Sequence, residues 1–203
     1  MAEHDGHLGT VYGARDTAEV AAAYDAWAGT YEAEMRAAGY RHPSVGLALL
    51  ARHLPRGAGP VLDAGAGTGL LGEWLGILGY RQVEALDLSA GMLAVAARKG
   101  VYSRLTQAAM GLPLPYADGA FAAVVCTGVF TTGHVGAEAL PELFRICRPG
   151  GVIVLTVKLA LWQAGIEGWL AARGIERIET TAPYVSMPGE AATTPSLAVV
   201  LRA

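Results

Sequence analysis

The most constraining feature of the chain is an acid followed by alternating glycines. Asp63-Ala-Gly65-Ala-Gly67-Thr-Gly69 closes the short apolar run Pro60-Val-Leu-Asp63. Glycine turns tightly without steric strain and lets a ligand approach backbone N–H groups. Such a turn joins a strand to a helix, and the residues beyond it continue that alternation. Apolar runs predict strands over 60–63, 83–86, 104–107, 121–126, 152–157, 175–181 and 197–201. Helices are expected over 68–78, 89–99, 137–147 and 162–172, the second capped by Ser89. Strands alternating with helices imply a Rossmann-like α/β sheet, largely parallel and covered on both faces. Ligands in such sheets bind beyond the carboxyl ends of the strands, where the strand order reverses. That selects the loops after Asp63, Asp87, Gln107 and Cys126.

The first 56 residues have a different texture and read as a polar arm plus a helical cap, ahead of an α/β core over 57–203. Asp16 is a helix N-cap, and Glu19 completes a capping box. Val20, Tyr24, Trp27, Tyr31 and Met35 follow on one face of a helix that Gly39 closes. Pro43 suits the first turn of a second helix. A single domain of 203 residues, 53% of them hydrophobic, buries an ample core.

Composition excludes several classes. Charged residues are 16% of the chain, too few for a disordered protein. A net charge of −3 with 15 Lys and Arg argues against nucleic acid as partner. No apolar stretch is long enough to span a membrane, and the polar start lacks an export signal. Cys126 and Cys147 read as reduced, buried thiols of a cytoplasmic monomer or homodimer. Two arm histidines, His4 and His7, do not make a metal site.

Asp87 ends the second strand, where a carboxylate can accept hydrogen bonds from ribose hydroxyls. With the glycine loop, it implies an adenosine-type ligand. The negative charge of Asp63 would repel a pyrophosphate and favour a ligand with a cationic end. That ranks S-adenosylmethionine ahead of NAD, although Gly67-Thr-Gly69-Leu-Leu-Gly72 matches the dinucleotide pattern literally.

The run Val61-Leu-Asp-Ala-Gly-Ala-Gly-Thr-Gly69 resembles motif I of the class I S-adenosylmethionine-dependent methyltransferases. Asp87, Leu112-Pro113 with Asp118 and Phe121, and Arg148-Pro-Gly-Gly151 resemble three further family segments. Tyr24-Asp-Ala-Trp-Ala-Gly-Thr-Tyr31 and Gly39-Tyr-Arg-His-Pro43 are similar to the methyltransferase-like proteins of the Williams–Beuren region type. The resemblance implies a seven-stranded open sheet of order 3-2-1-4-5-7-6, its last strand antiparallel, with helices on both faces. It implies that Asp63, Ala64, Gly65 and Gly67 meet the methionine end of the cofactor and Asp87 the ribose. Leu88, Met92, Ala109 and Met110 would surround the adenine, and Thr127 would lie near the methyl group. Ala108 stands where many relatives carry an Asp that receives the adenine amino group.

Tyr24, Trp27 and Tyr31 either pack the core or line the cofactor, Tyr31 first. His134, in the loop after the fourth strand, is the candidate general base, with His42 and Tyr12 behind it. The segment 183–195 reads as a solvated connector, with a loop over the site as the alternative. The expected activity is in-line methyl transfer to a small apolar or phenolic molecule. An NAD-dependent oxidoreductase and a non-catalytic S-adenosylmethionine-binding protein are the alternatives.

Overall fold

A computed structural model describes residues 6–131 and 135–203. Its strands are β1 (Val61–Ala64), β2 (Val83–Asp87), β3 (Arg104–Gln107), β4 (Phe121–Phe130), β5 (Cys147–Lys158), β6 (Arg177–Thr180), β7 (Tyr184–Val185) and β8 (Pro195–Arg202). The sheet order is β3-β2-β1-β4-β5-β8-β6, with β7 added beside β8. β1 to β5 pair in parallel, whereas β8 runs antiparallel to β5 and β6. This is the expected seven-strand order, with one two-residue strand more.

Strand sequences explain the layering. β4 and β5 are apolar almost without interruption because helices cover both faces. Leu62, Val124, Ile153 and Leu155 face one side, against Leu140, Leu143 and Ile146 of α7 (Leu140–Ile146). Val61, Ala123, Val125 and Val154 face the other. They pack on Leu49 and Leu50 of α4 (His42–His53) and on Leu71 and Leu75 of α5 (Leu70–Ile77). Gly46 lets α4 lie directly on Thr127, where any Cβ would collide with the threonine methyl.

Four local expectations are corrected. The helix expected to run unbroken to Gly39 is two, α2 (Thr17–Trp27) and α3 (Tyr31–Ala37). The turn between them contains Gly29, a poor helix former. Glu34 fastens the turn by accepting from Trp27 Nε1 at 2.9 Å and Thr30 Oγ1 at 2.6 Å. Part of the polar arm is also helical, α1 (Gly6–Tyr12), because Val11 buries beside Trp27 and Met35. β4 runs past Cys126 to Phe130 through a register shift, with Gly128 at φ +77° donating its N–H to Thr156 Oγ1 at 2.8 Å. The helix expected over 162–172 starts earlier. It runs as α8 (Leu159–Leu161), a π-helical segment Trp162–Ile166 and α9 (Glu167–Ala171). The capping at Asp16 is present, its side chain accepting from Glu19 N at 2.9 Å. Glu19 reaches back one residue further than a capping box does, to Arg15 N.

The N-terminal helices are fastened to the sheet layer at α6 (Ala90–Arg98). Ser89 caps α6 by accepting from Met92 N at 3.0 Å. Asp25 of α2 accepts from Ser89 Oγ at 2.5 Å and from Gly91 N at 2.7 Å. A carboxylate here satisfies a backbone donor that the first turn of a helix leaves orphaned. Asp25→Ala is therefore expected to lower stability by about 1 kcal/mol, the usual worth of a cap. Hydrogen exchange should speed up in α2 more than in β4; uniform exchange would contradict this fastening.

Candidate cofactor and acceptor site

The carboxyl ends of β1 and β2 shape the site. After β1 the chain turns through Gly65, Gly67 and Gly69, all at positive φ (+77°, +55° and +86°). Gly65 N and Ala66 N donate to Leu86 O at 2.7 and 3.0 Å, which folds the loop over the end of β2. A side chain at Gly65 would collide with Val129, whereas one at Gly67 would meet open space. Gly67 thus forms the floor of a cradle. Its N–H donates to Asp87 Oδ2 at 2.8 Å, and Ser89 N donates to Asp87 Oδ1 at 2.9 Å. Burial pushes the Asp87 pKa up, and these backbone donors pull against that rise. A carboxylate offers about four acceptor positions, so both oxygens keep capacity facing the cradle.

Above the cradle lies a cavity of about 320 Å³, within the size range of small-molecule sites. Gly65, Gly67, Asp87, Leu88, Met92, Ala109, Met110 and Thr127 border it, as do Tyr24 and Tyr31. The structure therefore brings ten of the residues singled out from sequence to one cavity. Trp27, Asp63 and Ala64 do not border it. Trp27 is buried behind Tyr24 and Tyr31, its ring edge-on to Tyr31 at 4.9 Å and stacked on Tyr24 at 6.1 Å. Ala64 is fully buried in β1. His134 lies outside the described residues.

Residues 62–155 match the methyltransferase-domain family. The human methyltransferase-like protein 27 is 36% identical over 196 residues, spanning 86% of this chain and 78% of its own length. This chain belongs to the class I S-adenosylmethionine-dependent methyltransferases. A malonyl-[acyl-carrier protein] O-methyltransferase of Serratia marcescens is 34% identical over 176 residues, covering 83% of this chain and 64% of the relative. Among solved structures, the 1,6-didemethyltoxoflavin N1-methyltransferase of Burkholderia thailandensis shares the fold. Its TM-score is 0.65 at 19% identity, covering 93% of this chain and 91% of that one, and it holds S-adenosylhomocysteine. S-adenosylmethionine is the cofactor of this methyltransferase, and the NAD reading falls with the family assignment.

The methyltransferase departs from its sequence in how it uses Asp63. That carboxylate is 1% exposed and accepts from Tyr102 Oη at 2.6 Å. Its charge lies under the loop and does not face the cavity. Tyr102 reaches it because Gly72 and Gly69 carry no side chains there; a Cβ at Gly72 would collide with the phenol ring. The apparent dinucleotide pattern is thus a packing device, and nothing in the sequence ties Tyr102 to Asp63. The acid that does border the cavity is Asp87, joined by Asp16.

Other wall residues were not expected from sequence. Arg15, Asp16 and Val20 come from the start of α2, and Tyr40 from the turn after α3. Val20 and Tyr24 belong to the aromatic stripe read as helix face, which was the available signal. Tyr40 hydrogen-bonds Tyr31, and burial holds the pKa of Tyr24, Tyr31 and Tyr40 above the ordinary phenol value, so all three stay neutral. His42, Tyr12 and residues 186–187 of the expected connector border a second, smaller cavity that shares Tyr24, Tyr31, Tyr40 and Gly128 with the first. Trp27 borders it too. The connector is buried here because Ser186 O accepts from Arg41 N at 2.9 Å.

Burial pushes the pKa of Asp63 up to about 7, whereas an unfolded Asp titrates near about 3.9. Between those values the folded chain binds the extra proton, so stability falls as pH rises through that window. Asp63→Asn cannot titrate and still accepts from Tyr102. Its melting temperature should gain on that of the wild type between pH 5 and pH 8; parallel melting curves would show that Asp63 titrates normally.

Proposed function

We propose that this methyltransferase transfers a methyl group in line to a small-molecule acceptor, with the cofactor seated over the Gly67 cradle. The observation that carries the reading is the junction of that open cradle with a neutral aromatic wall, Tyr24, Tyr31 and Tyr40. In this reading Asp87 accepts from the ribose hydroxyls with the lone pairs that Gly67 N and Ser89 N leave free. Leu88, Met92 and Met110 pack against the adenine, and backbone at Ala109 meets its edge. Ala108 borders the cavity and brings no carboxylate, so the adenine amino group has no acid to donate to there.

S-adenosylmethionine supplies a methyl group on a positively charged sulfur, a reactive centre that needs alignment and dryness more than activation. Tyr24 and Tyr31 offer ring faces that attract a cation. The residues of α2 and α3 exclude water from that wall, and holding reactants in position is worth several kcal/mol. Thr127 and Gly128 at the end of β4 complete the floor beside it. His134, which follows β4 in the chain, is the base proposed to take the acceptor's proton. The net charge of −3 and the two buried free thiols support a cytoplasmic enzyme of small molecules rather than one of nucleic acids.

Two measurements test this. Asp87→Ala should weaken S-adenosylhomocysteine binding by about 1.5–3 kcal/mol, roughly ten- to 150-fold in Kd by titration calorimetry; an unchanged Kd would remove Asp87 from the ribose site. Labelled S-adenosylmethionine with a panel of small phenols, amines and acids should label an acceptor. His134→Ala should then slow turnover about 100-fold and leave cofactor affinity alone. Full turnover in that variant would rule out the base, and binding without any transfer would rule out small-molecule methylation.

A further inference from the structure

Lys158, the last residue of β5, is 5% exposed. Its Nζ donates to Thr194 O at 2.9 Å. An ammonium has three donors, so two are left without a partner among the described residues. Burial pulls the Lys158 pKa down, and among the described residues no acidic neighbour offsets that pull. A buried charge without a counter-charge is a costly thing for a core to hold. Sites that hold one are candidates for binding its complement.

Lys158 borders the smaller cavity. Ser186, fully buried, borders it as well, and its Oγ has no hydrogen-bond partner among the described residues. His42 adds no second charge. Its Nδ1 lies 2.7 Å from Tyr184 Oη, and burial together with the Lys158 charge pushes its pKa down to about 3. The cavity therefore presents one positive charge and one unsatisfied hydroxyl, together with the tyrosine wall shared with the larger cavity. It holds about 30 Å³. At roughly 10–15 Å³ per water-sized group, that accommodates the two oxygens of a carboxylate.

We propose that this cavity is the head-group subsite of the methyl acceptor, and that the acceptor is a small organic acid whose carboxylate is held by Lys158 and Ser186. This rests on the methyl-transfer reading above. The carboxylate accepts from the free Lys158 donors and from Ser186 Oγ, and the body of the acceptor lies along the tyrosine wall that the two cavities share. Lys158 is then the residue that separates acids from their neutral analogues, because an amide of the same shape leaves the ammonium uncompensated.

The test uses the full chain loaded with S-adenosylhomocysteine and two probes of equal shape, benzoate and benzamide, in titration calorimetry. Benzoate should bind at least tenfold more tightly than benzamide. Lys158→Met should erase that preference while keeping the wild-type S-adenosylhomocysteine affinity. Ser186→Ala should weaken benzoate several-fold and leave benzamide unaffected, which keeps the test open if Lys158→Met does not fold. Equal binding of the two probes, or a preference that survives in both variants, would overturn the subsite. So would benzoate failing to bind a protein that binds S-adenosylhomocysteine, because the cavity then holds only water. Failure of S-adenosylhomocysteine itself to bind would instead overturn the methyl-transfer reading, and this inference with it.

Discussion

The Asp87 carboxylate is the joint on which the larger cavity depends. One oxygen holds Gly67 N and the other holds Ser89 N, so the glycine loop after β1 and the helix after β2 are set by the same group. Ser89 passes the connection outward to Asp25 and the N-terminal helices. Buried backbone donors need partners, and here two loops and a helix meet that need through two acids and a serine. The cradle, the cap of α6 and helix α2 are parts of one hydrogen-bonded unit.

Much of the fold is legible in the sequence for a simple reason. β4 and β5 are apolar on both faces and β1 ends at an acid and glycines, so strand positions and switch point follow from pattern. The legible part of the site is the part made by chain neighbours: Gly65, Gly67, Asp87 and Leu88 lie in the two loops that any sheet of this order places together. What was not legible depends on contacts far apart in the chain. Tyr102 meets Asp63, Arg41 meets Ser186, and Lys158 meets Thr194, and no local spacing encodes those meetings. The break between α2 and α3 is a different case: the contacts that hold it, Glu34 with Trp27 and Thr30, are local, but an unbroken amphipathic stripe across Gly29 conceals the turn.

Asp63 shows how much an electrostatic argument depends on where the carboxylate points. A carboxylate at the end of a leading strand does shape which ligand is welcome, but only if it faces the ligand. Here Gly69 and Gly72, just past the cradle, admit the Tyr102 ring, whose phenol hydrogen-bonds the acid. The acids that border the cavity are Asp87 and Asp16, one at the end of β2 and one at the start of α2.

The smaller cavity has a different ancestry in the chain from the larger one. Besides side chains of α2 and α3, its walls come from α1, the turn before α4, the ends of β4 and β5, and residues 186–187, which the β7 pairing and the Arg41–Ser186 bond bring to the N-terminal helices. The glycine cradle is made by the middle of the chain. The two cavities thus meet on one tyrosine wall, so a change in Tyr24, Tyr31 or Tyr40 reshapes both at once, whereas Ser186 and Lys158 belong to the smaller one alone.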